Sequence, residues 1–131
     1  MALRCIIVDD SPRFLEAARA ILEQEGVAVV GVASTSAEAL RRAEELKPDV
    51  TLVDVDLGHE SGFELVWRLQ SQPNLHPSRA ILISTYAEED FADLIHASPA
   101  AGFLSKSDLS ARAIREILGV TADGDPAEDP G

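Results

Sequence analysis

The sequence predicts an α/β fold in which a doubly wound, five-stranded parallel sheet carries five helices. Short apolar runs rich in β-branched residues alternate five times with longer segments whose apolar residues recur at helical spacing. This alternation favours parallel strands, because each helix returns the chain to the same end of the sheet through a right-handed crossover. The length of 131 residues suits one domain of this kind.

The predicted elements form five consecutive strand–helix units. The strands cover residues 4–8, 27–32, 50–53, 80–83 and 102–104. The helices cover residues 11–26, 34–47, 61–73, 88–96 and 108–118.

In the first half of the chain, the helix boundaries follow from residue types that begin or end helices. Ser11 is a good N-cap, and Pro12 suits the first helical position. Gly26 is the residue type that most readily ends a helix in the left-handed conformation. The second helix begins at Ser34 and ends before Pro48, which lacks the N–H that a continuing helix needs.

In the second half, the boundaries rest on similar signals. Ser61–Gly62 begins the third helix, and either Asp108 or Ser110 caps the last one. Pro99 cannot adopt the left-handed cap and holds Ser98 in extended geometry. The fourth helix should therefore end just before that serine.

The chain is acidic along its length. Its formal net charge is −12, and four acids without a base lie in residues 121–131, so that residues 1–120 carry −8. Asp, Gly and Pro are frequent in residues 121–131, and we expect this segment to be a disordered tail to a single domain at residues 1–120. Direct nucleic-acid binding is disfavoured, because it needs Lys and Arg to neutralise phosphates.

Cysteine usage and the apolar segments indicate a cytoplasmic protein. Cys5 is the one cysteine, so no intramolecular disulfide can form, as is common in a reducing compartment. The sequence shows neither an apolar segment of membrane-spanning length nor a charged-then-apolar leader with a cleavage site. We therefore expect a cytoplasmic location.

Polar residues follow four of the predicted strands at the end where the chain leaves the sheet. The pair Asp9–Asp10 follows the first strand, Asp54 the third, Ser84 the fourth and Lys106 the fifth. The carboxyl ends of parallel strands form one edge, where open α/β sheets bind their ligands. We expect these side chains to converge there, although any one of the acids taken alone could be a solvated turn residue or a helix N-cap.

The expected cluster has the parts that phosphoryl transfer needs. Its three carboxylates repel one another, and a divalent cation and a lysine would relieve that repulsion. Oxygen ligands of this kind suit Mg²⁺. An aspartate can itself accept a phosphoryl group, and the transfer needs mainly positioning and positive charge. In this interpretation Asp54 is the acceptor, Lys106 is the fixed positive charge and Ser84 is a hydrogen-bond donor.

These residues and their spacing resemble the receiver (response-regulator) domain of two-component signalling. Asp10, Asp54, Ser84 and Lys106 are separated by 44, 30 and 22 residues, which is similar to the family's intervals. Residues 61–65 (SGFEL) match the family's (D/S)-G-x-E-L signature seven residues after the acceptor. The resemblance covers residues 4–118 and implies a stand-alone receiver with the flavodoxin-like strand order 2-1-3-4-5.

The resemblance also implies a role for each residue of the cluster. Asp54 looks like the phosphoacceptor. Asp10 and Asp54 resemble the direct ligands of Mg²⁺, and the backbone carbonyl of Asp56 resembles a third ligand. Asp9 would act through water, and Lys106 would pair with the phosphoryl group.

The resemblance also implies how the domain switches and which partners it binds. Ser84 would hydrogen-bond to the transferred group, and Phe103 matches the aromatic switch position, unless it is a plain core aromatic. Phenylalanine lacks a hydroxyl, so any switching must work by packing alone. The implied partners are a sensor histidine kinase or phosphotransfer protein and a downstream protein bound by helix four, strand five and helix five. A homodimer is compatible with this scheme.

Three residues near the acceptor depart from the family's usual pattern. Gly58 stands where the family often has proline, which should loosen the loop over the acceptor. Thr85 replaces a small residue after Ser84, and Tyr86 follows it. Both side chains could screen the phosphoryl group from water or crowd a partner.

Two other functions stay open. A haloacid-dehalogenase-like phosphatase also has an Asp-x-Asp pair, as in residues 54–56. That family's motif usually lies on the first strand, however, and Gly58 stands where it has Thr or Val. A pseudo-receiver that binds a partner without phosphorylation is the second alternative, which Thr85 and Tyr86 keep open. We therefore expect a signalling domain and not an enzyme.

Overall fold

The computed structural model describes residues 3–71 and 79–119, and within them it contains five strands and five helices. The strands are β1 (Arg4–Val8), β2 (Ala28–Ala33), β3 (Val50–Asp54), β4 (Arg79–Ser84) and β5 (Gly102–Ser105). The helices are α1 (Pro12–Gln24), α2 (Ser36–Leu46), α3 (Gly62–Ser71), α4 (Ala92–Ala97) and α5 (Ala111–Leu118). The predicted tail at 121–131 and the predicted end of the third helix near Pro73 lie outside the described residues.

All five strands pair in parallel, in the order β2-β1-β3-β4-β5. This result confirms the predicted fold and strand order. From β1 the chain adds β2 on one side and β3 on the other, so the direction of winding reverses between these two strands. In open α/β sheets, the crevice beyond the carboxyl ends at such a reversal is the ligand-binding position.

The strand register brings the polar strand ends level with one another. Val8, the last residue of β1, pairs with Val53, and Asp54 pairs with Ile83. Ser84 pairs with Ser105 at the end of β5. β3, β4 and β5 each run one residue further than predicted, and β2 is shifted by one residue to 28–33. The site therefore begins on the last sheet residues and not in flexible loops.

Apolar side chains cover both faces of the sheet. Alternate strand residues point to opposite faces, so Ile7 and Ile81 join the core beneath α1 and α5, while Ile6 and Leu82 join the core beneath α2 and α3. All four side chains are fully buried. Burying one such side chain contributes about 1.5–3 kcal/mol. The sheet is therefore a firmly packed platform for the polar residues at its edge.

The second helix begins later than predicted. Three good N-caps stand in a row at residues 34–36, and Thr35 takes the role, because its Oγ1 accepts a hydrogen bond from the backbone N–H of Glu38 at 3.2 Å. Oε1 of Glu38 in turn accepts a hydrogen bond from the N–H of Ser34 at 2.9 Å. The arrangement resembles a capping box, although Glu38 bonds the N–H of the residue before the cap and not that of Thr35 itself, and the helix starts at Ser36.

The fourth helix is shorter than predicted. Residues 88–91 form a 3₁₀ turn in place of the first helical turn, and no side chain caps that turn. The end of the helix is as predicted, since Ser98 is extended, with φ −91° and ψ 157°, before Pro99. Of the two candidate caps for α5, Ser110 is the one used, because its Oγ accepts a hydrogen bond from Ala113.

None of the helices within the described ranges has the length and apolar character that a membrane span requires.

Candidate functional site

The candidate site lies at the carboxyl edge of the sheet, where β1, β3 and β5 end. Asp9 is completely buried, and Asp54 is 6% exposed. Lys106, which begins the 3₁₀ turn after β5, extends its side chain between them. Its Nζ lies 2.6 Å from Oδ2 of Asp9 and 3.1 Å from Oδ2 of Asp54. The structure thus brings together acids and a lysine that are up to 97 residues apart in sequence.

Each of the two buried carboxylates is held through both of its oxygens. Oδ1 of Asp9 accepts a hydrogen bond from the backbone N–H of Ser11 at 2.8 Å. Oδ1 of Asp54 accepts one from the N–H of Asp56 at 3.1 Å. In both cases Oδ2 faces the ammonium group of Lys106. The carboxylates are therefore fixed in direction by the backbone that follows each strand.

Burial and neighbouring charges shift the pKa values of Asp54 and Lys106. Burial raises the pKa of Asp54 from 3.8 to about 6, although the N–H of Asp56 and the hydrogen bond from Lys106 oppose the rise. Burial also lowers the pKa of Lys106, but hydrogen bonds and charges from Asp9 and Asp54 outweigh it, so the net pKa lies above its ordinary value. At neutral pH, Lys106 is therefore cationic and Asp54 is mostly ionised, at a cost in folding free energy.

Asp10 adds a third carboxylate to the group. It is exposed, and one carboxylate oxygen each from Asp9, Asp10 and Asp54 lies within 4.8 Å of the others. Three carboxylates and one ammonium group leave a formal charge of −2, which one divalent cation would neutralise. The donors are all hard oxygens, and the open side at Asp10 leaves room for water, which is the environment that Mg²⁺ prefers. The residues present therefore fit a magnesium ion.

Asp56 lies outside this group of three carboxylates. β3 ends at Asp54, and Asp56 forms an isolated bridge with Ser61. Its side chain is exposed, and Oδ1 accepts a hydrogen bond from the N–H of Gly58 at 3.0 Å. The two aspartates of the pair consequently face different surroundings, one buried and one exposed.

The loop between β3 and α3 packs closely against the site. Gly58 has φ +78°, and a Cβ atom there would lie 3.2 Å from Oδ2 of Asp10. Glu60, in the same loop, accepts a hydrogen bond at 2.9 Å from the N–H of Ser36, which begins α2. The sequence predicted a loose loop because of Gly58, yet this contact ties the loop to a neighbouring helix. Glu60 gave no sequence signal, since its partner lies 24 residues away.

Gly62, in the signature SGFEL, is required by the space available at this position. Its N–H donates to the carbonyl of Val55 at 3.0 Å. A Cβ atom at Gly62 would lie 2.0 Å from the backbone oxygen of Asp54 and 2.8 Å from Cα of Val55. Only glycine lets the first turn of α3 approach the end of β3 so closely, so the glycine of the signature positions the acceptor strand.

Ser84 and the residues after it connect the site to α4. Ser84 is buried, and its Oγ accepts a hydrogen bond from the N–H of Tyr86 at 3.0 Å. The ring of Tyr86 is 59% exposed and packs edge-on against Phe91 at 6.2 Å between centroids. Phe91 also packs against Phe103 at 6.5 Å and against Phe63 at 5.9 Å. Phe91 is thus the centre of an aromatic group that the sequence did not predict.

Comparison with known proteins relates the whole described domain to one family. A family model described as the response regulator receiver domain matches residues 5–118. Response regulator GacA of Pseudomonas viridiflava is 32% identical over 117 residues, which cover 88% of this chain and 53% of that protein. The signal receiver domain of NarL from Mycobacterium tuberculosis superposes with a TM-score of 0.77 and 29% identity, over 90% of this chain and 98% of that one.

One further relative is named as an enzyme. The protein-glutamate methylesterase/protein-glutamine glutaminase of Thermotoga maritima is 33% identical over 107 residues, which cover 79% of this chain and 30% of that protein. The chain therefore spans about half or less of the length of these curated relatives.

Replacing Gly62 tests the close approach of α3 to β3. Gly62→Ala should lower the free energy of unfolding by about 1–3 kcal/mol, because the added methyl group collides with backbone that cannot move aside. Gly119→Ala is the matched control, since no atom lies within 4 Å of its Cβ position and only its φ of +70° adds strain of about 1 kcal/mol. Urea unfolding measures both changes. A smaller loss for Gly62→Ala than for Gly119→Ala would contradict this packing.

The raised pKa of Asp54 predicts how stability changes with pH in the absence of divalent cations. A carboxyl group with a folded-state pKa of about 6 and an ordinary value of 3.8 destabilises the fold as pH rises between these values. Asp54→Asn removes the ionisation, so its free energy of unfolding relative to that of the parent protein should rise between about pH 4 and about pH 6, by about 1–3 kcal/mol.

Urea titrations in EDTA across this pH range measure the effect. Asp56→Asn is the control, because it makes the same substitution at an exposed residue of the neighbouring loop. Parallel pH profiles for Asp54→Asn and the parent protein would show that burial does not raise the pKa of this carboxyl group.

Proposed function

Because this chain belongs to the response regulator receiver domain family, we propose that Asp54 accepts a phosphoryl group from a sensor histidine kinase or phosphotransfer protein in a Mg²⁺-dependent reaction. One observation supports this proposal above the others. Asp54 is a buried carboxylate at a strand end, 3.1 Å from the ammonium group of Lys106 and within the group of three carboxylates.

The proposed transfer is a substitution at phosphorus. An oxygen of the ionised Asp54 forms the new P–O bond while the P–N bond to the donor histidine breaks, and the imidazole nitrogen retains the electron pair. The pKa of about 6 leaves Asp54 mostly ionised at neutral pH, yet more basic than an ordinary aspartate. The ionised carboxylate is the form that can attack phosphorus, and the Mg²⁺ that Asp54 would bind favours that form.

The remaining residues would stabilise the transferred group. Mg²⁺ would be held by Asp10 and Asp54 directly, by the backbone carbonyl of Asp56 and by Asp9 through water, and when bound it would neutralise charge on the phosphoryl oxygens. Lys106 already lies beside Asp54 and needs only a small movement of its Nζ to pair with a phosphoryl oxygen.

Ser84 would transmit the change at Asp54 to the segment that follows β4. Its Oγ accepts a hydrogen bond from the N–H of Tyr86, and its O–H can at the same time donate to a phosphoryl oxygen. A movement of Ser84 toward that oxygen would carry along the segment of Tyr86, whose ring packs against Phe91, and Phe91 packs against Phe103. Switching would therefore proceed through contacts between aromatic rings and would alter the surface of α4, β5 and α5. A downstream protein partner would bind that surface.

Other parts of the proposal follow from the chain's composition and the family. The acidic charge favours a protein as the direct partner of this domain over a nucleic acid, and a cytoplasmic location suits a receiver. The phosphatase alternative is disfavoured, because the chain matches the receiver domain family and Asp54 lies at the end of the third strand and not of the first. The pseudo-receiver alternative becomes an outcome of the following test.

Labelling with a small phosphodonor tests the acceptor directly. Acetyl phosphate and Mg²⁺ should label the parent protein, and Asp54→Asn should abolish the label, because an amide oxygen cannot form a stable phosphoryl ester. Asp56→Asn should still be labelled, since only the backbone carbonyl of this residue is assigned a role.

Two results would count against the proposal in different ways. Undiminished labelling of Asp54→Asn would refute the assignment of the acceptor. Absence of labelling in the parent protein, together with absence of Mg²⁺ binding, would favour the pseudo-receiver alternative.

The aromatic contacts predict where the response to phosphorylation should appear. With Mg²⁺ and beryllofluoride, which mimics the phosphoryl group, the ring resonances of Tyr86, Phe91 and Phe103 should shift in NMR spectra. Asp54→Asn should abolish these shifts. Shifts confined to β1 and β3, with these three rings unchanged, would contradict the proposed route from Ser84 to α4.

A further inference from the structure

The ring of Phe14 lies against the lysine of the site. Nζ of Lys106 is 4.4 Å from the centroid of this ring, within the range of a cation–π interaction. Phe14 is half-buried and packs against the core beneath α1 and α5. The ammonium group thus has three neighbours, two carboxylates and one aromatic face.

The first turn of α1 fixes the position of this ring. Oδ1 of Asp9 accepts a hydrogen bond from the N–H of Ser11, and Oγ of Ser11 accepts one from the N–H of Phe14 at 3.3 Å. Pro12 occupies the first helical position and restricts the backbone between them. The carboxylate that pairs with Lys106 therefore also helps to orient the cap that places Phe14 beneath it.

An aromatic ring can attract the ammonium group of Lys106 without neutralising its charge, which neither a third carboxylate nor an aliphatic side chain can do. The ammonium group has three N–H donors, and Asp9 and Asp54 can each take one. A ring attracts the positive charge through its quadrupole and does not neutralise it as a carboxylate would. The lysine can therefore be restrained while it keeps its charge for a phosphoryl oxygen. An aliphatic side chain would fill the space without this attraction.

We propose that Phe14 is a positioning residue, which holds the ammonium group of Lys106 by a cation–π interaction in the place where it meets the phosphoryl group. This inference rests on the proposed function of Asp54 as the acceptor. It assigns Phe14 a role that depends on the electron density of its ring and not only on the ring's volume.

Fluorination of the ring separates these two contributions. Mono-, di- and trifluorophenylalanine at position 14 progressively weaken the attraction of the ring for a cation while its size changes little. The initial rate of labelling by acetyl phosphate at saturating Mg²⁺ should fall stepwise along the series, by about two- to tenfold overall. Fluorination of Trp67, an exposed aromatic residue of α3, should leave the rate unchanged. A flat series at position 14 would overturn the proposal.

A second readout needs no phosphorylation. The chain has two lysines, Lys47 and Lys106, so ¹³C-labelled lysine gives two sets of ε-methylene resonances. The ring of Phe14 should shift the ε-methylene protons of Lys106 upfield from those of the exposed Lys47, in protein without Mg²⁺. Phe14→Leu should remove this shift, and the amide spectrum shows whether that variant is folded. If Phe14→Leu unfolds, Phe14→Met, which also lacks a ring and adapts readily to a core site, replaces it in the same comparison. No difference between the two lysines would overturn the proposal.

The two readouts distinguish failure of this inference from failure of the proposed function. If the parent protein is labelled and Asp54→Asn is not, but fluorination has no effect, the function stands and the role of Phe14 is refuted. If the parent protein is not labelled, the proposed function fails and the positioning role fails with it.

Discussion

The burial of two carboxylates beside a single lysine is the constraint on which the site depends. Asp9 and Asp54 are almost completely removed from water, and within the described residues Lys106 is the cationic side chain that pairs with them. An ionised carboxylate in such a place is unfavourable unless it is paired and hydrogen-bonded. The N–H groups of Ser11 and Asp56, which follow the two strands, supply part of that compensation. A formal charge of −2 nevertheless remains once Asp10 is included; a divalent cation would neutralise it, whereas a phosphoryl group on Asp54 would add further negative charge.

The strand register of the sheet determines where these charged groups lie. The register of β1, β3, β4 and β5 brings their last residues level, so that the acids, Ser84 and Lys106 meet without a long loop. Close packing holds this arrangement from outside the sheet. Gly62 lets α3 approach the end of β3, and Glu60 ties the intervening loop to α2. Movement at Asp54 is therefore restricted on the side of α3, whereas the side of Ser84 connects through Tyr86 to the short α4.

The sequence predicted the parts of the fold and site that depend on local pattern, and it missed those that depend on proximity in space. The alternation of strands and helices was sufficient to predict the sheet. The polar residues at the predicted strand ends were sufficient to predict that Asp9, Asp54, Ser84 and Lys106 lie at one edge, because parallel strands end at one edge. The predicted start of α2 was wrong, since three capping residues stood in a row and only the hydrogen bond from the N–H of Glu38 to Thr35 decides between them. The contact of Phe14 with Lys106 joins residues 92 positions apart, and helical spacing marked Phe14 only as an apolar residue.

The proposed transfer depends on the charge state of the buried carboxyl group of Asp54. Site-specific ¹³C NMR of the Asp54 side-chain carboxyl, titrated against pH with EDTA and then with Mg²⁺, measures this state directly. We expect a pKa of about 6 in EDTA, and a lower pKa once Mg²⁺ is added, because the cation favours the ionised form. A pKa close to 3.8 in EDTA that does not change with Mg²⁺ would contradict this expectation.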